Sequence, residues 1–313
     1  MAAATAAPSA PSEPSSIFAV PRPIRSLFKL FPLRTYEPEP LPARAPDQTR
    51  PRAKLYVFSS DEDALRGRPS FNPTCLKWQT YLRMANIQVD LVPSTNHASP
   101  SGALPFLLPP TTDSRPDIPL TGTNISQYAH KYSSYSSVRE SNSPRTEAYL
   151  SLIAQSIRPA WVCFFPPPPA IATGRTTDQH PQLHALYISP RHTPLLARLY
   201  LPPSPLVSTP LLHTLRSAAT NEILKTTRRP LLLPEQLYSD ARIAFQTLDT
   251  VLGFDKWFFG APEPALFDAE VFAYTHLILD ASFGWQDDAL GACLEGCDRL
   301  VEHRRRLYEW CWH

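Results

Sequence analysis

The chain has 313 residues, with 43% hydrophobic and 19% charged positions and a formal net charge of +2. That length suits about two domains with a sizeable core, and 15 Phe, 12 Tyr and 6 Trp exclude a mainly disordered protein. With 30 Lys+Arg against 28 Asp+Glu, nothing in the overall charge favours nucleic acid, and none is expected as a partner.

Proline stands out at 37 residues, more than twice the usual share of about 5%. Glycine numbers only 9, so the connections read as stiff and extended rather than loose. The five cysteines (Cys75, Cys163, Cys293, Cys297, Cys311) form no CxxC pair and no even framework. A reducing compartment is expected. The start, MAAATAAPSAPSEPSS, carries neither the basic nor the apolar region of a secretory signal. No run of about 18 apolar residues occurs, so any membrane association is expected to be peripheral, without a transmembrane helix.

Residues 1–53 read as a Pro-rich basic arm, disordered in part. Residues 1–16 are Ala/Ser/Pro low complexity. From Pro23 the apolar residues fall at Ile24, Leu27, Phe28 and Phe31, one face of a helix, with Pro23 suited to its first position and Pro32 to its end. Arg22, Arg25, Lys29 and Arg34 add positive charge with no acid between them. Nine residues make too short a helix to stand alone. It packs on its own domain, inserts into a partner or lies on an anionic membrane surface. Docking on protein is the favoured expectation, with Arg22, Ile24, Arg25, Leu27, Phe28, Lys29 and Phe31 as the contact residues. Residues 37–53 read as an extended linker.

A compact alternation follows over 54–135. Lys54–Phe58 reads as a strand. Asn72 is a helix cap with Pro73 behind it, and Cys75, Trp78, Leu82 and Ala85 mark the helix face. Ile87, Val89 and Leu91 alternate as a second strand. Leu104–Leu108 and Ile118–Leu120 are shorter strands, and Asn124–Tyr132 is a helix. This is the order of a thioredoxin-like domain. Leu104-Pro105 falls where that fold carries its cis-proline.

Residues 143–313 read as helical, interrupted by a Pro-rich loop at 164–183. Helices are expected at Glu147–Ile157, with Tyr149, Leu152, Ile153 and Ser156 on one stripe, and at Leu211–Leu224, Leu237–Leu252 and Leu266–Leu279. The aromatic cluster Trp257-Phe258-Phe259, before Gly260, reads as core. One last helix is expected from Asp288 to the terminus, its apolar face made of Leu290, Cys293, Leu294, Cys297, Leu300 and Val301. Cys293 and Cys297 sit one turn apart but lack two further ligands at usable spacing, so no metal is expected.

A thioredoxin-like half followed by an all-helical half is the glutathione-transferase architecture. Within it the chain resembles the metaxins. The resemblance rests on CLKWQTYLRM (Cys75–Met84), SPSGALPFL (Ser99–Leu107), DKWFFGAPEPALFDAEVFAY (Asp255–Tyr274) and Arg158-Pro-Ala-Trp161 followed by Ala185-Leu-Tyr187. The first two stretches are most similar to the metaxin-two type, whose fungal counterpart is a subunit of the mitochondrial sorting and assembly machinery. The resemblance implies a non-enzymatic protein on the cytosolic face of the mitochondrial outer membrane. Its partners would be the membrane barrel subunit, a second metaxin-like subunit and the C-terminal strand signals of β-barrel precursors. No cofactor is expected.

The alternative is a cytosolic glutathione-transferase-like enzyme or glutathione-binding protein. That chemistry needs a thiol activator where amides and helix dipole lower a thiol's pKa, at the start of the first long helix. Ser70, Asn72, Thr74 and Cys75 are the residues available there. Asn72 reads as a cap and Cys75 as a core thiol. After the second short strand, Leu120-Thr121-Gly122-Thr123 offers a hydroxyl at Thr123 but lacks the acidic residue that normally precedes it in transferases. The Ser/Thr-x-x-Asp capping box of the helical half reads Ala265-Leu266-Phe267-Asp268, with the hydroxyl gone and Asp268 retained as a structural residue. Asn72, Pro105, Trp257, Phe258, Gly260 and Asp268 are therefore expected to serve the fold, and no residue is expected to be catalytic.

Overall fold

A computed structural model describes residues 50–133, 143–163, 193–201, 204–229, 233–285 and 288–312. The arm residues Arg22, Ile24, Arg25, Leu27, Phe28, Lys29 and Phe31, and the 164–183 loop, lie outside them.

The first half is built on a four-stranded sheet in the order β2-β1-β3-β4. β1 (Ala53–Val57) has the burial alternation of a strand with one face on the core. It pairs in parallel with β2 (Val89–Pro93) and antiparallel with β3 (Phe106–Leu108), which in turn pairs antiparallel with β4 (Leu120–Thr121). The Leu104–Pro105 peptide is cis, and β3 starts immediately after it.

Arg50 lies just before β1, in the stretch expected to be linker, and its side chain is withdrawn from solvent. Its guanidinium donates to the carbonyls of Pro109 and Pro116 at 2.5 and 2.6 Å. An isolated arginine at the end of a Pro-rich segment gives no sign of such partners, because they lie about sixty residues away.

Helix α1 (Asp61–Leu65) was not expected from periodicity, being shorter than two turns. Ser60 caps it, and three acids follow in the first turn, where the helix dipole favours them. Helix α2 (Pro73–Met84) begins at the expected cap and buries Cys75, Trp78, Tyr81 and Leu82. Helix α3 (Thr123–Tyr132) closes the half, its entry turned by Gly122 at φ +51°.

The second half is helical. Helix α4 (Pro144–Leu152) runs through one π turn at Ile153–Ile157 into α5 (Arg158–Cys163). The stripe expected at Tyr149, Leu152, Ile153 and Ser156 faces the core. The π turn, which periodicity does not show, adds Ile157 to Ile153 as a fully buried position. Helices α6 (Thr193–Tyr200), α7 (Pro205–Thr227) and α8 (Pro234–Leu252) follow. Helix α9 (Leu266–Leu279) has the ends read from the sequence and is buried nearly all round. It packs across α2, and Lys77 pairs with Glu270 at 2.5 Å over that contact.

The single last helix is also corrected. A 3-10 turn at Gly291–Leu294 is separated from α10 (Asp298–Trp312) by Gly296 at φ +78°. Glycine adopts that conformation without steric cost, and the chain turns there. The turn changes the register of the apolar stripe. Leu300, His303, Leu307 and Cys311 face inward, and Val301 is 41% exposed.

Candidate functional site

The place where transferase chemistry would sit is the turn from β1 into α2. Asn72 lies in extended backbone, and its side-chain oxygen accepts from the amides of Thr74 at 3.1 Å and Cys75 at 3.2 Å. Those are the free donors of a helix start, and a cap that takes them stabilises the helix by about 0.5–2 kcal/mol. The same cap withdraws them from any bound sulfur. The Asn72 amide nitrogen in turn donates to the Tyr200 hydroxyl at 3.3 Å.

Cys75 is 0% exposed and belongs to the core. Burial pushes its thiol up to about 12, against the pull of hydrogen bonds from the Phe58 backbone and Ser70. A thiol in that state carries almost no thiolate at neutral pH. Thr123, at the start of α3, is exposed, and no acid lies in the Leu120–Thr123 stretch.

A cavity of about 210 Å³ opens beside the α2 start, between Asn72, Pro73 and Thr74 on one side and α5, α6, α7 and α9 on the other. Its walls are mainly apolar, aliphatic and aromatic. Trp161 meets Tyr274, Phe283 and Trp285 edge-on at 6.1, 5.9 and 5.2 Å between ring centres, and Tyr200 packs edge-on against Phe58 and Phe71. Two charges face it. Arg158 donates to Glu222 at 2.7 Å and also hydrogen-bonds Tyr274. Burial raises the Tyr274 hydroxyl well above its ordinary value, so it stays a neutral phenol. The cavity thus holds a neutralised ion pair and a neutral hydroxyl. It suits a small, mostly apolar guest.

The residues assigned to structure meet at a second place. Asp268 accepts from the amides of Phe258 at 3.0 Å and Ala265 at 2.9 Å, and lies 2.9 Å from His303 Nε2. The Ala265 methyl gives nothing back, so half of the reciprocal cap is missing. Trp257 and Phe258 are buried and both present ring edges to His303, while Gly260 takes φ +66°. Trp257, Phe258, Gly260 and Asp268 therefore form one knot, to which α10 adds His303. Pro105 is far from it in sequence and serves the sheet.

Sequence reasoning missed several members of these sites. His303 adjoins the basic run Arg304–Arg306, which masks that its spacing from Leu300, Leu307 and Cys311 puts it on the inward stripe. Tyr200 and Glu222 carried no signal. Arg158 and Tyr274 lay inside the quoted metaxin-like stretches without a role. His276 accepts from Arg304 Nε at 3.3 Å within a pile of rings formed by Phe272, Tyr308 and Trp312, a core histidine. Among the described residues no cluster of metal ligands occurs, and no helix is long and apolar enough to cross a membrane.

Comparison with known proteins settles the architecture. Residues 73–165 match the glutathione S-transferase N-terminal domain and residues 241–307 the glutathione S-transferase C-terminal domain. The chain has the glutathione transferase fold. A glutathione transferase from Phanerochaete chrysosporium is 12% identical at a TM-score of 0.52, over 84% of this chain and 98% of that one. One from Pseudomonas putida, with glutathione disulfide bound, is 13% identical at 0.44, over 88% and 95%. No curated protein matches the chain. β1 and α1 precede the matched N-terminal segment.

Proposed function

We propose that this chain is a non-enzymatic subunit of the sorting and assembly machinery for β-barrel proteins, on the cytosolic face of the mitochondrial outer membrane. In this reading it binds the membrane barrel subunit and a second metaxin-like subunit, and it receives precursors through their C-terminal strand signals. The arm residues Arg22, Ile24, Arg25, Leu27, Phe28, Lys29 and Phe31 supply partner contacts. It uses no cofactor.

One observation carries the non-enzymatic part. The helix start that activates a thiol in transferases is here sealed by Asn72, and the nearby sulfur of Cys75 is buried with its pKa at about 12. The metaxin-like stretches support the location and partners. The test is purification of the tagged full chain from mild-detergent extracts of mitochondria. An outer-membrane barrel protein and a second metaxin-like protein are expected to co-purify, and a preparation without the barrel protein overturns the reading.

The match to the glutathione S-transferase N- and C-terminal domains favours a second reading, a glutathione-binding or glutathione-conjugating protein. Retention on immobilised glutathione, with turnover abolished by Thr123→Ala or Cys75→Ala, would establish it.

A further inference from the structure

β2 is an edge strand, and its hydrogen-bonding direction can be worked out. The Ser94 amide donates to the Val57 carbonyl at 3.0 Å, and the parallel register pairs Val89 with Ala53 and Leu91 with Leu55. In a parallel pair alternate residues face the neighbour. Asp90 and Val92 therefore bond to β1, and the amides and carbonyls of Val89 and Leu91 point away from the sheet. Among the described residues no hydrogen bond from outside the sheet reaches them, and α1 is the helix packed beside β2. Pro93, which has no N–H, sits at the next outward position, as edge strands allow.

Beside Val89 and Leu91 lies a groove of about 560 Å³, walled by α1, the end of α2 and the end of α10. Two of its side chains are unusually open for apolar residues: Leu65 is 90% exposed and Trp310 is 48% exposed. Arg52 and Arg83 line it against one acid, Asp90, so its charge is positive. Arg83 is held there by bonds to the carbonyls of Cys311 and Gly67.

We propose that this groove binds an extended peptide segment of another protein, which adds a strand to the sheet at Val89 and Leu91. Unmet backbone groups at alternate positions select a strand, since only an extended backbone repeats donors and acceptors at that spacing. Leu65 and Trp310 grip apolar side chains on alternate residues of the guest, and the two arginines favour an acidic flank. The inference deepens the reading above, which calls for a receiver of strand signals, by naming the surface.

The test uses the full chain and a fluorescein-labelled ten-residue peptide of alternating Val and Thr with Glu at both ends, followed by fluorescence anisotropy. Saturable binding is expected. It should weaken at least tenfold when alternate peptide nitrogens on one edge are methylated, and at least tenfold with Leu91→Pro. That proline replaces an outward N–H and leaves the β1 pairing intact, and circular dichroism checks the fold. Lys-ended peptide should bind more weakly than Glu-ended peptide. Absence of saturable binding, or binding indifferent to methylation on either edge, overturns the proposal whether or not the proline variant folds. Binding sensitive to methylation but unchanged in a folded Leu91→Pro or Leu65→Asp variant places the guest elsewhere and also overturns it. If the peptide binds as expected while no barrel protein co-purifies, the groove stands and the mitochondrial reading falls.

Discussion

His303 and Asp268 lie 2.9 Å apart with neither side chain in contact with solvent, joining the start of α9 to the middle of α10. Asp268 also holds the amides of Phe258 and Ala265, so one carboxylate fixes the aromatic turn, the helix start and the last helix together. Removing it strands three partners, two of them buried. Asp268→Ala is expected to cost about 3–5 kcal/mol. Urea unfolding measures this, and a loss below about 1 kcal/mol would show that the knot is dispensable.

The missing half of that cap can be restored. Ala265 already has the extended backbone of a cap residue. Ala265→Ser adds an oxygen for the amide of Asp268 and completes the reciprocal pair. A gain of about 0.5–1 kcal/mol is expected by the same unfolding measurement. No gain would mean that the serine hydroxyl finds another partner.

His276 ties stability to pH. Burial, and next the neighbouring Arg304, lower its pKa from 6.5 to about 4. A histidine that binds its proton less readily in the folded state than in the unfolded one favours unfolding as acid is added. Its contribution is fully present above pH 6.5 and is lost as pH falls towards 4, by roughly 3 kcal/mol. The loss of stability between pH 6.5 and 4 should be smaller in His276→Phe, read as the difference between the two proteins' unfolding curves. Parallel curves would exclude this histidine as the cause.

Thiol accessibility tests the sealed helix start. Cys75, Cys293, Cys297 and Cys311 are all buried. Burial pushes Cys75 and Cys311 to about 12 and Cys293 and Cys297 to about 11. Mass-spectrometric mapping after treatment with a maleimide at pH 8 should find these four unmodified in the native protein and modified in urea. Rapid native labelling at Cys75 would reopen the enzymatic reading.

The parts of the fold that were legible have local causes. Asn72-Pro73 marks a helix start by cap chemistry and a preset backbone angle, and the start is where it reads. Leu266–Leu279 reads with its true ends because an apolar run bounded by Pro264 and Asp280 leaves little choice. The last helix misread because an apolar stripe continues across Gly296, and one turn of the backbone there changes which residues face inward. The candidate site was legible only by subtraction. The sequence shows the acid missing from Leu120–Thr123 and the hydroxyl missing at Ala265, but not that Tyr200 would come to Asn72 from 128 positions away.

Composition, capping and periodicity by themselves determined the fold class, the order of the strands and of the longer helices, and the core placement of Cys75, because each depends on residues within a turn or two of one another. Only the tertiary structure decided that Asp268 is shared with His303, that Arg158 is neutralised by Glu222, and that Val89 and Leu91 face a groove with their backbone groups unmet. Those relationships depend on which distant segments are brought side by side when apolar faces are buried, and local spacing does not encode which segments those will be.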